Sequence, residues 1–127
     1  PLIRIPVTRG AGTRVELRCP DPAANPYLVL AVCLEAGLDG IRNQITPPDA
    51  VTENVFEMQL PQRAKLGIES LPGDLEQAVE ELEKDDYIKN VLGGHITEKY
   101  LEAKKAEWAD YRAQVTEWEI EKYLYKI

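Results

Sequence analysis

The chain has 127 residues, 44% of them hydrophobic and 29% charged, with a net charge of −7. That length fits one modest domain or a piece of a larger one, and the acidic balance argues against nonspecific nucleic-acid binding, which needs a basic surface. The longest apolar run, Tyr27 to Leu34, falls short of the roughly 18 residues a membrane-spanning helix requires, so no membrane partner is expected.

No signal peptide is visible. Cys19 and Cys33 are too few for a disulfide framework and read as the reduced thiols of a cytoplasmic protein. The charge is unevenly placed. Residues 1–42 carry five Arg, no Lys and four acidic residues, whereas all eight Lys lie at or after Lys65. Arginine has a planar fork that pairs with phosphate or carboxylate through two hydrogen bonds, so an Arg-only segment suits an anion site.

In chain order, residues 2–9 read as a strand, with Leu2, Ile3, Ile5 and Val7 around Arg4. Pro6 belongs at an edge, or where its missing amide hydrogen needs no partner. Gly10-Ala11-Gly12 gives a turn, and residues 13–19 alternate as a second strand. The two predict a hairpin over 1–19. A lone hairpin is marginal in water, so these strands are expected to belong to a larger antiparallel sheet.

Asn25 is a good helix cap and Pro26 suits the first helical position. The helix runs from Pro26 to about Gly37, within a segment bounded at 26–40. It is apolar on nearly every face and is expected to be buried on all sides. Residues 42–73 hold four prolines and read as an irregular loop, with a short helix near Leu60 to Leu66.

A mostly helical region follows over 74–127. Asp74 with Gln77 resembles a capping box, and Glu80–Lys84 and Asp85–Lys89 have the spacing of favourable ion pairs. Gly93-Gly94 ends that helical stretch. A further helix is expected from about Thr97 to Val115, with Leu101, Trp108, Tyr111 and Val115 on one side. The tail, Trp118 to Ile127, is amphipathic and rich in aromatics, which fits core packing or a subunit interface. The fold class is therefore α+β: a hairpin, then helices.

Chemistry concentrates in Thr13-Arg14-Val15-Glu16-Leu17-Arg18. Alternate residues of a strand share a face, so Arg14, Glu16 and Arg18 point one way while Val15 and Leu17 point the other, into a core. A carboxylate can hold a hard divalent cation, and flanking guanidinium groups can neutralise phosphate or a substrate carboxylate. Spacing alone leaves a second reading open, in which the three charges only pair with one another on a wet surface. Arg4 would approach the same face if the hairpin closes, or else blunt an exposed edge. His95 is the only histidine, which excludes a His-rich zinc site and favours a surface or capping role. There is no Gly-x-Gly-x-x-Gly or Walker A sequence, so any ATP handling uses another architecture.

The segment Ile3 to Ile41, IRIPVTRGAGTRVELRCPDPAANPYLVLAVCLEAGLDGI, resembles the signature region of bacterial type I glutamine synthetases. The later segments, including His95-Ile96 and Glu107-Trp108…Tyr111-Arg112…Trp118-Glu119, resemble the same family. The resemblance implies the carboxyl-terminal portion of a catalytic domain over residues 1–127. It implies a ligase that makes glutamine from glutamate, ammonia and ATP through γ-glutamyl phosphate, with Mg2+ or Mn2+ bridging the reactants. By motif, Glu16 matches a metal-binding glutamate and Arg18 the arginine that binds substrate glutamate. Arg4 and Arg14 match arginines on the ATP phosphates, so Arg4 and Arg18 are the expected catalytic residues.

The resemblance also implies partners: further copies of the subunit, arranged as a dodecamer of two hexameric rings, with the tail docked on the opposite ring. Phe56 occupies the place where adenylylated members carry a tyrosine, so no modification is expected there. Glu107 is expected near a neighbour's active site. The portion of the family's chain that holds the adenine pocket, the ammonia site and most metal ligands has no counterpart here, so this polypeptide alone is expected to be inactive. Two alternatives remain beside the enzyme: a non-catalytic assembly or binding module of the same family, and an unrelated helical interaction domain.

Overall fold

A computed structural model describes residues 2–126; the first residue of the hairpin segment, Pro1, and the last of the tail, Ile127, lie outside the described residues. The chain divides into two compact units, Pro1–Ser70 and Leu71–Ile127.

The first unit opens with strands β1 (Ile3–Arg4) and β2 (Glu16–Leu17). They pair antiparallel, with Ile3 opposite Leu17 and Arg4 opposite Glu16. The hairpin expected over 1–19 is present, with a much shorter ladder than the pattern suggested. Its connection holds a turn of 3-10 helix at Gly10–Gly12, closed by Thr13 N donating to Gly10 O at 3.0 Å. Gly10 has φ of +70°, which favours glycine, and a Cβ on Gly12 would lie 2.6 Å from Thr8 Cγ2. Pro6 falls just past the ladder, where its missing donor costs nothing.

Helix α1 spans Pro26–Arg42, several residues beyond the expected Gly37. Asn25 caps it: Oδ1 accepts from the backbone of Tyr27 at 3.0 Å and of Leu28 at 3.4 Å. It passes through Gly37 and Gly40 and ends at Asn43, where Gln44 N donates to Ile41 O and Ile45 N to Gly40 O. Those bonds satisfy otherwise orphan carbonyls, and they require Gln44 at φ of +53°. None of the residues of α1 is buried within this chain, whose length leaves little material to surround so apolar a helix. Tyr27, Leu30, Leu34 and Ile41 form an exposed apolar stripe at helical spacing, since this unit supplies no second layer over that face.

The irregular stretch that follows contains α2 (Leu60–Lys65), close to the short helix expected. Arg63 Nη2 donates to Val55 O at 3.0 Å, and Met58 is buried. Phe56 stands 96% exposed on this loop.

The second unit is helical: α3 (Leu75–Lys84), α4 (Asp86–Leu92), α5 (Gly94–Arg112) and a short α6 (Glu117–Glu119) that runs into a π-helical turn, Ile120–Leu124. Asp74 Oδ1 accepts from Gln77 N at 2.9 Å, while Gln77 reaches back to the amide of Gly73 at 3.0 Å. The expected pairing is thus present, shifted by one residue on its return bond. Asp85 separates α3 from α4 and caps α4 by accepting from Ile88 N at 2.9 Å. Lys89 therefore pairs with Asp86 at 2.8 Å, not with Asp85 as the spacing suggested. Gly93, at φ of +77°, makes the turn into α5. Buried Thr97 ties α5 to α4, its hydroxyl donating to Lys89 O at 3.2 Å.

The expected helix over Thr97 to Val115 starts earlier and stops sooner. A Thr-x-x-Glu capping box at Thr116 and Glu119 starts a new helix and leaves Val115 outside both. Hydrogen bonds from Thr116, first its backbone amide and then its hydroxyl, hold the Glu119 carboxyl below its ordinary range. Trp108 stacks on Tyr111 at 5.8 Å. Tyr111, Val115, Trp118, Tyr123 and Tyr125 are exposed, so they are not core of this chain.

Candidate functional site: a carboxylate held by three arginines

Directly opposite residues of an antiparallel pair put their side chains on the same side of the sheet. The register that faces Arg4 with Glu16 therefore joins the β1 arginine to Glu16 of β2 and to Arg14 and Arg18, which flank that strand. Arg4 Nη1 lies 2.9 Å from Glu16 Oε2. Arg14 takes the other oxygen through two nitrogens, Nη2 at 2.6 Å and Nε at 2.9 Å from Oε1. Arg18 Nη2 is 3.6 Å from Oε2. All four residues singled out from the sequence are brought together.

The Glu16 side chain retains 24% of its accessibility, while the three arginines retain about half of theirs. Three guanidinium groups around one carboxylate leave a local excess of positive charge, which suits a polyanion. The hydrogen bond from Arg4 and then that from Arg14 hold the Glu16 carboxyl below its ordinary value of 4.5. A depressed acid contributes stability above its unfolded value and loses it as pH falls through the folded one. A carbon-13 titration of Glu16 is therefore expected to give a midpoint below 4.5, with the ion pairs intact above 4.5 and lost on acidification. A midpoint at or above that value would contradict the clustering.

On the opposite face, Val15 and Leu17 are exposed, so the core expected beneath them is not supplied by this chain. Among the described residues no group of three or more His, Cys, Asp or Glu could hold a metal. The fit to Mg2+ or Mn2+ is accordingly that of one hard oxygen ligand, Glu16, where such ions take about six. A divalent ion at Glu16 would need its other donors from beyond the described residues.

Two surface concavities lie away from this cluster: one of about 420 Å3 is lined by Glu81, Leu82, Lys84, Asp85 and Ile88, and another of about 250 Å3 lies between α3 and α5. Neither gathers convergent charge of one sign. The cluster on the hairpin is the better site because three like charges converge there on one group. His95 is exposed, as expected for a surface residue. Glu107 pairs with Lys104 at 2.6 Å on α5.

The family model described as glutamine synthetase, catalytic domain, matches residues 1–123. The glutamine synthetase of Clostridium saccharobutylicum is 53% identical over 125 residues, covering 98% of this chain and 28% of that protein. That of Thermotoga maritima is 54% identical over 124 residues, with coverage of 98% and 28%. That of Methanosarcina mazei is 50% identical over 123 residues, with coverage of 97% and 28%. A solved structure described as "Apo GmaS without ligand" superimposes with a TM-score of 0.69 at 40% identity, covering 87% of this chain and 25% of that one. The chain thus spans a little over a quarter of the length of the relatives it matches, and an unrelated helical interaction domain is excluded. The chain belongs to the glutamine synthetase catalytic-domain family.

Proposed function

We propose that this chain is the carboxyl-terminal portion of the catalytic domain of a bacterial type I glutamine synthetase. In this reading it supplies part of a site that joins ammonia to glutamate at the expense of ATP. One observation carries it: three arginines from the two arms of the hairpin converge on a single carboxylate, within 3.6 Å. The family match supports it, and the exposed apolar faces of the hairpin and of α1 are what a portion of a larger domain would present.

The roles follow from the charges. Arg4 and Arg14 hold the ATP phosphates and offset negative charge as the γ-phosphoryl group moves to the side-chain carboxylate of glutamate, releasing ADP. Arg18 pairs with the substrate glutamate and fixes its orientation. Ammonia then attacks the acyl carbon of γ-glutamyl phosphate, phosphate leaves, and a proton is lost from nitrogen. Glu16 would be one ligand of a Mg2+ or Mn2+ ion, which supplies Lewis-acid polarisation of the phosphoryl oxygens when bound. The segments 1–19, 26–40, 42–73 and 74–127 serve as site hairpin, internal helix, connecting loop and helical assembly region. Further copies of the subunit, in two hexameric rings, cover the aromatic tail from Trp118 onward. Phe56 lacks the hydroxyl that adenylylation needs, Glu107 lies near a neighbour's site, and the protein works in the cytoplasm.

The test is a chimera: the Thermotoga maritima enzyme with its matching segment replaced by this chain. It is expected to form glutamine from glutamate, ammonia and ATP. Arg18→Gln should raise its KM for glutamate by about tenfold or more, the loss of a charge-assisted pair. An assembled chimera without activity, or an unchanged KM, would overturn the reading.

A further inference from the structure

The ladder of the hairpin ends at Arg4 and Glu16. So short a ladder does not fix the arms beyond it, and the place of Arg14 depends on what holds the connection. Arg9 holds it. Its Nη1 donates to the carbonyl of Pro6 at 2.6 Å and to that of Thr8 at 3.2 Å, and a charged donor makes such bonds stronger than a neutral one. Thr8, so held, closes over Gly12, where a Cβ would stand 2.6 Å from Thr8 Cγ2. The missing side chain is what permits that approach. The Gly12 carbonyl in turn accepts from Arg14 Nη1 at 3.2 Å. Contacts therefore run from Arg9 through Thr8 and Gly12 to Arg14. Arg18 lies outside this series, because its backbone amide donates to Leu2 O at 2.9 Å, beside the ladder.

We propose that Arg9 is a positioning residue: it touches no reactant, and it sets the turn whose Gly12 carbonyl aims the Arg14 guanidinium. This role rests on the reading of Arg14 as an arginine of the ATP phosphates. Aim matters there, since a group misplaced by about 1 Å can cost a factor of about 100 in rate. Arg9 thereby serves the ATP side of the site and leaves the glutamate side, at Arg18, untouched.

The test is steady-state kinetics of the chimera with ATP and glutamate varied separately. Arg9→Gln should raise KM for ATP by about fivefold or more and leave KM for glutamate within about twofold, with assembly intact. A residue that only stabilised the domain would move both constants together. Arg9→Lys should retain most of the affinity for ATP, because one nitrogen serves both carbonyls and an ammonium group can replace it. In an Arg14→Gln background, Arg9→Gln should add less than about twofold, because its effect passes through Arg14. Three results would each overturn the proposal: an unchanged KM for ATP in Arg9→Gln, an equal rise in KM for glutamate, or full additivity with Arg14→Gln, which would mean that Arg9 meets ATP directly. An unchanged KM for ATP in Arg14→Gln would instead overturn the reading of Arg14 beneath it.

Discussion

Glu16→Gln in the chimera is expected to lower kcat by about 100-fold or more and to weaken Mn2+ binding by about tenfold or more, with assembly intact. The amide keeps the shape of the side chain and loses its charge. It remains an acceptor for one guanidinium and becomes a poor ligand for a hard cation. The substitution also leaves Arg4, Arg14 and Arg18 without their common counter-charge. Because those groups reach solvent, the structural cost is small, so a loss of activity reports chemistry and not unfolding. Steady-state kinetics, Mn2+ titration and a melting curve on the same sample separate the two. Unchanged kcat and metal affinity with a normal melting temperature would reduce the cluster to a surface ladder.

The isolated 127-residue chain is expected to form no glutamine, to unfold without a sharp cooperative transition, and to bind apolar dyes. Its accessible surface is 10943 Å2. A compact monomer of 14.3 kDa would expose about 6,800 Å2, and two separately compact units roughly 8,000 Å2. Among hydrophobic side chains, Met58 and Val79 are the buried ones of the described residues. Little apolar burial is left to offset the entropy of ordering the backbone.

Leu34, 63% exposed on the α1 stripe, gives this argument a local test. Leu34→Ala should cost the isolated chain under about 0.5 kcal/mol, the range of surface substitutions. In the chimera, with the face covered by the remainder of the domain, it should cost about 2–5 kcal/mol. Thermal denaturation of both proteins measures the difference. Glutamine formation by the isolated chain, or equal small costs in both settings, would contradict the expectation.

The site was legible from sequence because strand alternation is a local rule. Arg14, Glu16 and Arg18 had to share a face once residues 13–18 were extended, and two glycines after Val7 allowed the chain to turn back. The caps at Asn25 and Asp74 were equally local, as was the turn at Gly93. The Thr116–Glu119 capping box is an equally local Thr-x-x-Glu pattern, and it stops α5 short of Val115. Spacing does not decide Asp85, because one carboxylate has two local options, ion pair or cap, and the break between α3 and α4 selects the cap.

What the sequence determined by itself is the order of the elements, the α+β class and the sidedness of the charged strand, since each depends on residues a few positions apart. Only the tertiary structure decided that Arg4 stands opposite Glu16, because pairing register joins residues 12 apart through a turn that spacing does not specify. It also decided that α1 is apolar all round yet uncovered. Hydrophobicity states that a face prefers burial, and only the arrangement of neighbouring layers determines whether this chain can provide it.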